Sequence, residues 1–325
     1  MSVNFILEKL AGVEDAEHRR ELAEYVINNP EEFKVAVSRI FELSEEKNII
    51  NLKYRLLGLI DLLPSKIAIP VLEKAIADKD NTTRVRGLQA VYRTRVDSLN
   101  EDVTRILTDT EEEFEARKWA VHILGSSDPR NYGQTLRRLA KNREEDIRVR
   151  KEAVYALTKV TDDETIGALC ALLGDPLVEL RRSGAWALSS ISSPESVHCL
   201  LAALEDPDEE VRDWSIRALR DMDNARALQG LADTIARVEP NEQVRMIRLV
   251  IEKRSEIILR AIAELLTSED LDVKRVAAWA MGVASYPPAA GTLRTLVNDP
   301  DEQTRDYAKM ALLRLGEVDP SDFKL

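Results

Sequence analysis

Cysteine, histidine and aromatic side chains are all scarce in this chain of 325 residues, and each shortage closes a class of function. Two cysteines, Cys170 and Cys199, are too few for a disulfide framework or a four-cysteine structural zinc site. Both lie in apolar helical runs, ALCALL and VHCLLAAL, and are expected to be reduced core residues. The three histidines, His18, His122 and His198, stand in no H-E-x-x-H or other paired ligand spacing, so neither a metal site nor a cofactor is expected. His198 and Cys199 are neighbours, but adjacent helical residues point about 100° apart and do not form a nucleophile pair. Glycine is sparse, at 12 residues, and no Gly-rich phosphate loop, G-x-S-x-G elbow or dinucleotide fingerprint occurs. No run approaches the roughly 18–20 apolar residues of a spanning helix, and the opening MSVNFILEKLAGVEDAEHRR has no basic-then-apolar leader pattern. The expectation is a cytoplasmic, non-catalytic chain.

What the sequence does hold is charge and period. Charged residues make up 32% of the chain and hydrophobic ones 44%, with 46 Lys+Arg against 58 Asp+Glu and a net charge of −12. A basic residue recurs at Lys53, Arg86, Arg117, Arg150, Arg181, Arg212, Arg245, Lys274 and Arg305, at spacings of 33, 31, 33, 31, 31, 33, 29 and 31. Small or large apolar residues follow three, six and seven positions later, as in Ala153, Ala156 and Leu157, which gathers them on one third of a helix circumference. A second helical run precedes each of these, separated by turns such as Asp175-Pro176, Asp206-Pro207 and Asp299-Pro300. Asp208, Asp272 and Asp301, or residues beside them, are placed to cap the following helix. Two antiparallel helices per ~31 residues form a unit that buries its apolar face only by stacking on its neighbours.

The pattern D-P-x-x-x-V-R-x-x-A-x-x-A-L resembles the short HEAT-like repeats of the phycobilin-lyase type, over roughly 48–315. The resemblance implies an all-α solenoid, a right-handed superhelix of helix pairs whose second helices line the concave surface. It divides the chain into an N-terminal helical cap (1–46), an array of about nine pairs (47–315) and a polar tail (316–325). It also gives the recurrent basic residue a structural role, pairing with acids or carbonyls of the adjoining turn.

Positions one and five after each basic residue point about half a turn away from the buried stripe. They read Gly87/Val91, Lys118/His122, Lys151/Tyr155, Arg182/Trp186, Asp213/Arg217, Met246/Val250, Arg275/Trp279 and Asp306/Met310. Five cations and two Asp in a chain of −12 make this stripe less acidic than its surroundings. Lys118, His122, Lys151, Tyr155, Arg182, Trp186, Arg217, Arg275 and Trp279 are therefore the expected partner-binding residues, with aromatic anchors and basic groups suited to an acidic protein segment. Trp119 and Trp214, two positions after the basic residue, are expected to pack between repeats.

Two other functions fit the resemblance. A phycobilin lyase-like chromophore-handling subunit is one, although the aromatic-rich Y-Y-A-A-W-W type of run is missing and aromatics total 5%. Nucleic-acid binding through a basic stripe is the other, opposed by the net negative charge because phosphate neutralisation drives such affinity. The di-iron hydroxylases built on similar repeats carry His-Glu ligand pairs, and none of the three histidines here is followed by Glu.

Overall fold

In a computed structural model the chain is described over residues 2–13, 15–42, 47–127 and 129–318. The predicted boundary at Glu46 and most of the predicted tail, 319–325, lie outside the described residues. Among those described, every regular element is helical. Three helices come first, α1 (Ser2–Ala11), α2 (Ala16–Asn28) and α3 (Pro30–Glu42), followed by α4 (Lys47–Leu57). Eight helix pairs follow. They are α5 (Ser65–Ile76) with α6 (Asn81–Thr94), α7 (Asn100–Thr108) with α8 (Phe114–Ser126), and α9 (Pro129–Lys141) with α10 (Ile147–Leu157). Next come α11 (Asp163–Leu172) with α12 (Val178–Ile191), α13 (Val197–Ala202) with α14 (Glu209–Asp221), and α15 (Ala225–Arg237) with α16 (Pro240–Val250). The last are α17 (Glu256–Glu264) with α18 (Leu271–Ala284) and α19 (Ala290–Leu296) with α20 (Glu302–Leu315). The chain divides into two compact units, 1–160 and 161–325.

Within each unit second helices stack on second helices, α6 on α8 and α8 on α10 in the first, α12 on α14, α16 on α18 and α18 on α20 in the second. The small and apolar positions read from the sequence are the ones buried. Ala153, Ala156 and Leu157, and Ala277, Ala280 and Met281, are all at most 4% exposed. Trp214 packs, as expected, across a repeat boundary, on the cluster of Ala185, Ala203 and Val211. Aspartate caps start the second helices: Asp208 accepts from the Val211 amide, Asp301 from Thr304, and Asp146 from Arg148. At α18 the cap is Asp270, which accepts from the amides of Asp272 and Val273, so Asp272 is a donor rather than the cap itself.

The recurrent basic residue forms a ladder, as expected from the resemblance. Arg181 donates to the carbonyl of Asp175 at 3.1 Å, in the turn of its own pair, and to both carboxylate oxygens of Asp206 in the next turn. Arg212 repeats this on the Asp206 carbonyl and Glu242, and Arg305 donates to the carbonyls of Asp299 and Pro300. Lys53 and Lys274 bond forward, to the carboxylates of Asp78 and Asp299. Arg117 holds the Leu107 carbonyl and, through two nitrogens, the Glu145 carboxylate at 2.7 Å.

Two positions correct the sequence reading. In the run RVR it is Arg84, not Arg86, that donates to the carbonyls of Asp78 and Lys79 and to Glu112. Arg86 is exposed and lies over the Tyr54 ring, 4.0 Å from its centroid. In α16 the ladder position is the neutral Gln243, 8% exposed, donating to the Ile235 carbonyl at 2.9 Å. Arg245 instead bonds Glu242 and Asp213. With Arg84 and Gln243 in place, the spacings become 31, 33, 33 and then 31 five times. What recurs at this position is a hydrogen-bond donor, and the Gln243 amide supplies one without charge to a carbonyl in the last turn of α15.

The cysteines are the other correction. Cys170 on α11 and Cys199 on α13 are half-buried rather than core, and their sulfurs are bonded to each other. The pair links the first helices of successive repeats, which a reading confined to the neighbours His198 and Cys199 does not reveal.

Candidate partner-binding face

Correcting the register also corrects the outward stripe. Gly87, Val91, Met246 and Val250 are buried, because they belong to repeats whose ladder residue lies two positions earlier. Their places are taken by Val85 and Gln89 on α6 and by Val244 and Arg248 on α16, all outside the core. Every stripe residue from Tyr54 and Gly58 to Asp306 and Met310 is then half-buried or exposed. The 31-residue spacing of the flanking repeats is the signal that could have located Val244 and Arg248.

In the first unit the stripe builds an aromatic cluster. Lys118 and His122 sit on α8, Lys151 and Tyr155 on α10. Ring centroids lie 5.6 Å apart for Tyr92 and Trp119, 5.7 Å for Trp119 and His122, and 6.4 Å for His122 and Tyr155. Trp119 thus joins α8 to Tyr92 on α6, the inter-repeat packing expected of it. His122 Nε2 is 3.1 Å from a Glu152 carboxylate oxygen, and Tyr155 is 50% exposed. An exposed phenol beside a carboxylate-held imidazole offers apolar area with polar handles.

In the second unit Arg275 and Trp279 of α18 come together with Val244 and Arg248 of α16 and Tyr307 of α20, lining a cavity of about 610 Å³. Two of its predicted residues and two that sequence reading missed therefore meet in one place. The remaining predicted residues, Arg182 and Trp186 on α12 and Arg217 on α14, lie earlier in this unit.

Much of the predicted positive charge is already spoken for within the fold. Arg275 donates to Asp301 at 2.8 Å and to Asp272 at 3.1 Å, and the Asp301 bond pushes its guanidinium further up. Arg182 is held by Asp208 at 2.6 Å and Glu210 at 3.0 Å, and Lys118 by Glu115 at 2.8 Å. Lys151, Arg217 and Arg248 make no ion pair among the described residues, and Arg217 lies 5.9 Å from the Trp214 ring centroid. The cations open to a partner are therefore fewer than the sequence count suggests.

The Arg182 bond, assisted by the Val211 amide, holds the Asp208 carboxyl down to about 2. An unfolded aspartate titrates near ~3.9. The folded value is the depressed one, so this stabilisation is complete above the unfolded value and is lost as pH falls toward about 2. Asp301 behaves in the same sense, through Arg275. The thermal midpoint of the protein is expected to fall steeply between about pH 4 and pH 2. Asp208→Asn, which keeps a capping side chain, should flatten that acid limb; an unchanged pH profile would refute the pairing.

Comparisons with known proteins follow the same architecture. A family model described as HEAT repeats matches residues 100–189 and 168–251. No curated protein matches the sequence. Among solved structures the fold is similar to that in a Kap95:Nup1 complex, with 13% identity, a TM-score of 0.61, and all of this chain covering 52% of the other. Yeast importin-β (Kap95p) gives 13% and 0.58, again over all of this chain and 52% of that one. The karyopherin Kap121p bound to the extreme C-terminus of the protein phosphatase Cdc14p gives 14% and 0.53, over 97% of this chain and 41% of that one. This chain thus spans about half the length, or less, of these karyopherins.

Proposed function

We propose that this chain, a HEAT-like repeat protein of the all-α solenoid class, is a non-catalytic adaptor that binds an acidic, partly apolar protein segment on the outward stripe of its second helices. The HEAT resemblance makes that stripe the concave side. The observation that carries the proposal is the register itself: in every repeat positions one and five after the ladder residue stay out of the core. In the second unit four of them, Val244, Arg248, Arg275 and Trp279, gather around one cavity. A cavity walled by an indole, a phenol and an unpaired guanidinium suits a large apolar side chain flanked by a carboxylate. Lys151 and Arg217 extend the same chemistry to other repeats. Karyopherins of similar fold are seen in complexes with Nup1 and with a phosphatase C-terminus, which supports a protein segment as the ligand class. A cytoplasmic location is part of the same proposal.

The test is selection of a displayed random-peptide library on the full chain. Recovered peptides should pair Asp or Glu with a large apolar residue, and Trp279→Ala or Arg248→Glu should weaken them by about 30-fold or more, the scale of a hot-spot loss near 2 kcal/mol. Neither residue is in the core, so the melting profile should stay unchanged. Binders without acidic residues, or binding untouched by Trp279→Ala, would defeat the assignment.

A further inference from the structure

Cys170, His198 and Cys199 lie away from the outward stripe, on the first helices α11 and α13, and the adaptor reading makes no use of them. One ligand atom from each of the three lies within 4.8 Å of the other two. The sulfurs are half-buried and His198 is exposed, so small molecules can reach the group from solvent. The imidazole is also oriented: Nδ1 lies 2.9 Å from the Glu195 carbonyl, where an Nδ1–H donates and leaves the lone pair on Nε2. A backbone carbonyl holding the far nitrogen is the arrangement that fixes metal-ligating histidines. Two sulfurs and such an imidazole form a donor set suited to zinc.

We propose that these residues form a zinc site gated by the Cys170–Cys199 bond, independent of the adaptor reading. A dithiol reductant supplies two electrons and two protons, breaking the S–S bond to two thiols while closing to its own disulfide. Zinc then binds as the two thiols release their protons to solvent, with His198 Nε2 as the third protein ligand and water completing the tetrahedron. Zn–S bonds of about 2.3 Å in a tetrahedron place the sulfurs roughly 3.8 Å apart, a separation that side-chain rotation supplies across Cα atoms 5.6 Å apart. In the reverse step a small-molecule disulfide accepts two electrons from the two thiolates and leaves as two thiols, while the Cys170–Cys199 bond re-forms and the metal, stripped of both sulfur ligands, is released. The site therefore alternates between a covalent and a metal-mediated tie across the same two repeats.

The full chain, reduced and freed of reductant without air, is titrated with cobalt(II) as a spectroscopic stand-in for zinc. The expected result is a thiolate-to-cobalt charge-transfer band that saturates at one equivalent, is bleached by zinc, and is missing from the oxidised protein. Cys170→Ser and Cys199→Ser should each abolish it. His198→Ala, at an exposed position that does not challenge folding, should weaken cobalt binding by about tenfold or more. No band in the reduced protein, a band that survives either serine variant, or affinity unchanged in His198→Ala would each overturn the proposal and leave the cysteines as a structural crosslink alone.

Discussion

Arg117→Ala is expected to lower the stability of the unit spanning 1–160 by about 3–5 kcal/mol, the largest loss from any single change considered. The side chains of Arg117 and Glu145 are only 4% and 3% exposed, and their two 2.7 Å bonds are out of reach of water. Removing the guanidinium strands the carboxylate in a low-dielectric setting and orphans the Leu107 carbonyl, which accepts from two of its nitrogens. For a unit of this size, that free energy amounts to a fall in melting temperature of roughly 6–20 °C. The Arg117→Met, Glu145→Gln double variant should recover much of the loss, because the buried charge is then gone and the amide oxygen can still accept from the Asp146 amide. Arg237→Ala is the contrast: its pair with Glu205 is 64% and 76% exposed and worth about 0–1 kcal/mol. Calorimetry showing under ~1 kcal/mol for Arg117→Ala would mean that the pair is solvated in solution.

Gly282→Val should cost about 3 kcal/mol in the second unit. A Cβ at Gly282 would lie 2.9 Å from the Ala311 Cα and 3.0 Å from its Cβ, so α18 and α20 touch almost backbone to backbone here. The atom in the way is main chain and cannot rotate aside; α20 has to move. Alanine at this helical position gains about 1 kcal/mol of propensity, while overpacking costs about 1–3 kcal/mol, so Gly282→Ala already comes out neutral to destabilising. Valine adds two methyl groups to the collision and forfeits part of that propensity gain. Urea unfolding of the two variants beside the parent measures both steps, and a valine variant as stable as the parent would show that the interface opens without resistance.

The architecture was legible because its requirements are written in residue types. A small residue must sit where helices close, as at Ala153 and Ala277, and an aspartate must start the next helix, as at Asp208 and Asp301. The register failed where two residues could satisfy one pattern, Arg84 or Arg86, and where a neutral residue filled a basic place, Gln243. Those two slips carried the candidate face with them, hiding Val244 and Arg248 and promoting Met246 and Val250, which are at most 1% exposed. Charge neutralisation was less legible, since the acids that hold Arg182 and Arg275 lie about one repeat further on, at Asp208 and Asp301. The cysteine link follows the same logic: a separation of 29 residues is nearly one period, which sets the two thiols at matching heights on successive first helices.

The ladder also sets how a disturbance travels. Each arginine that grips both its own turn and the next makes the opening of one repeat cost contacts in its neighbour, so melting spreads along the stack as through linked dominoes. Gln243 breaks that rule: it donates to the Ile235 carbonyl behind it and, among the described residues, to no group in the turn ahead. Among the described residues the α17–α20 end is consequently joined to the repeats before it by packing, α15 on α17 and α16 on α18, without a polar rung. It can fray or flex as a block while α11–α14, tied through Arg181 and Arg212 and stapled by the cysteine pair, stays closed. The cavity formed by Val244 and Arg248 on α16 and Arg275 and Trp279 on α18 straddles that joint, so any movement of the terminal block changes its width.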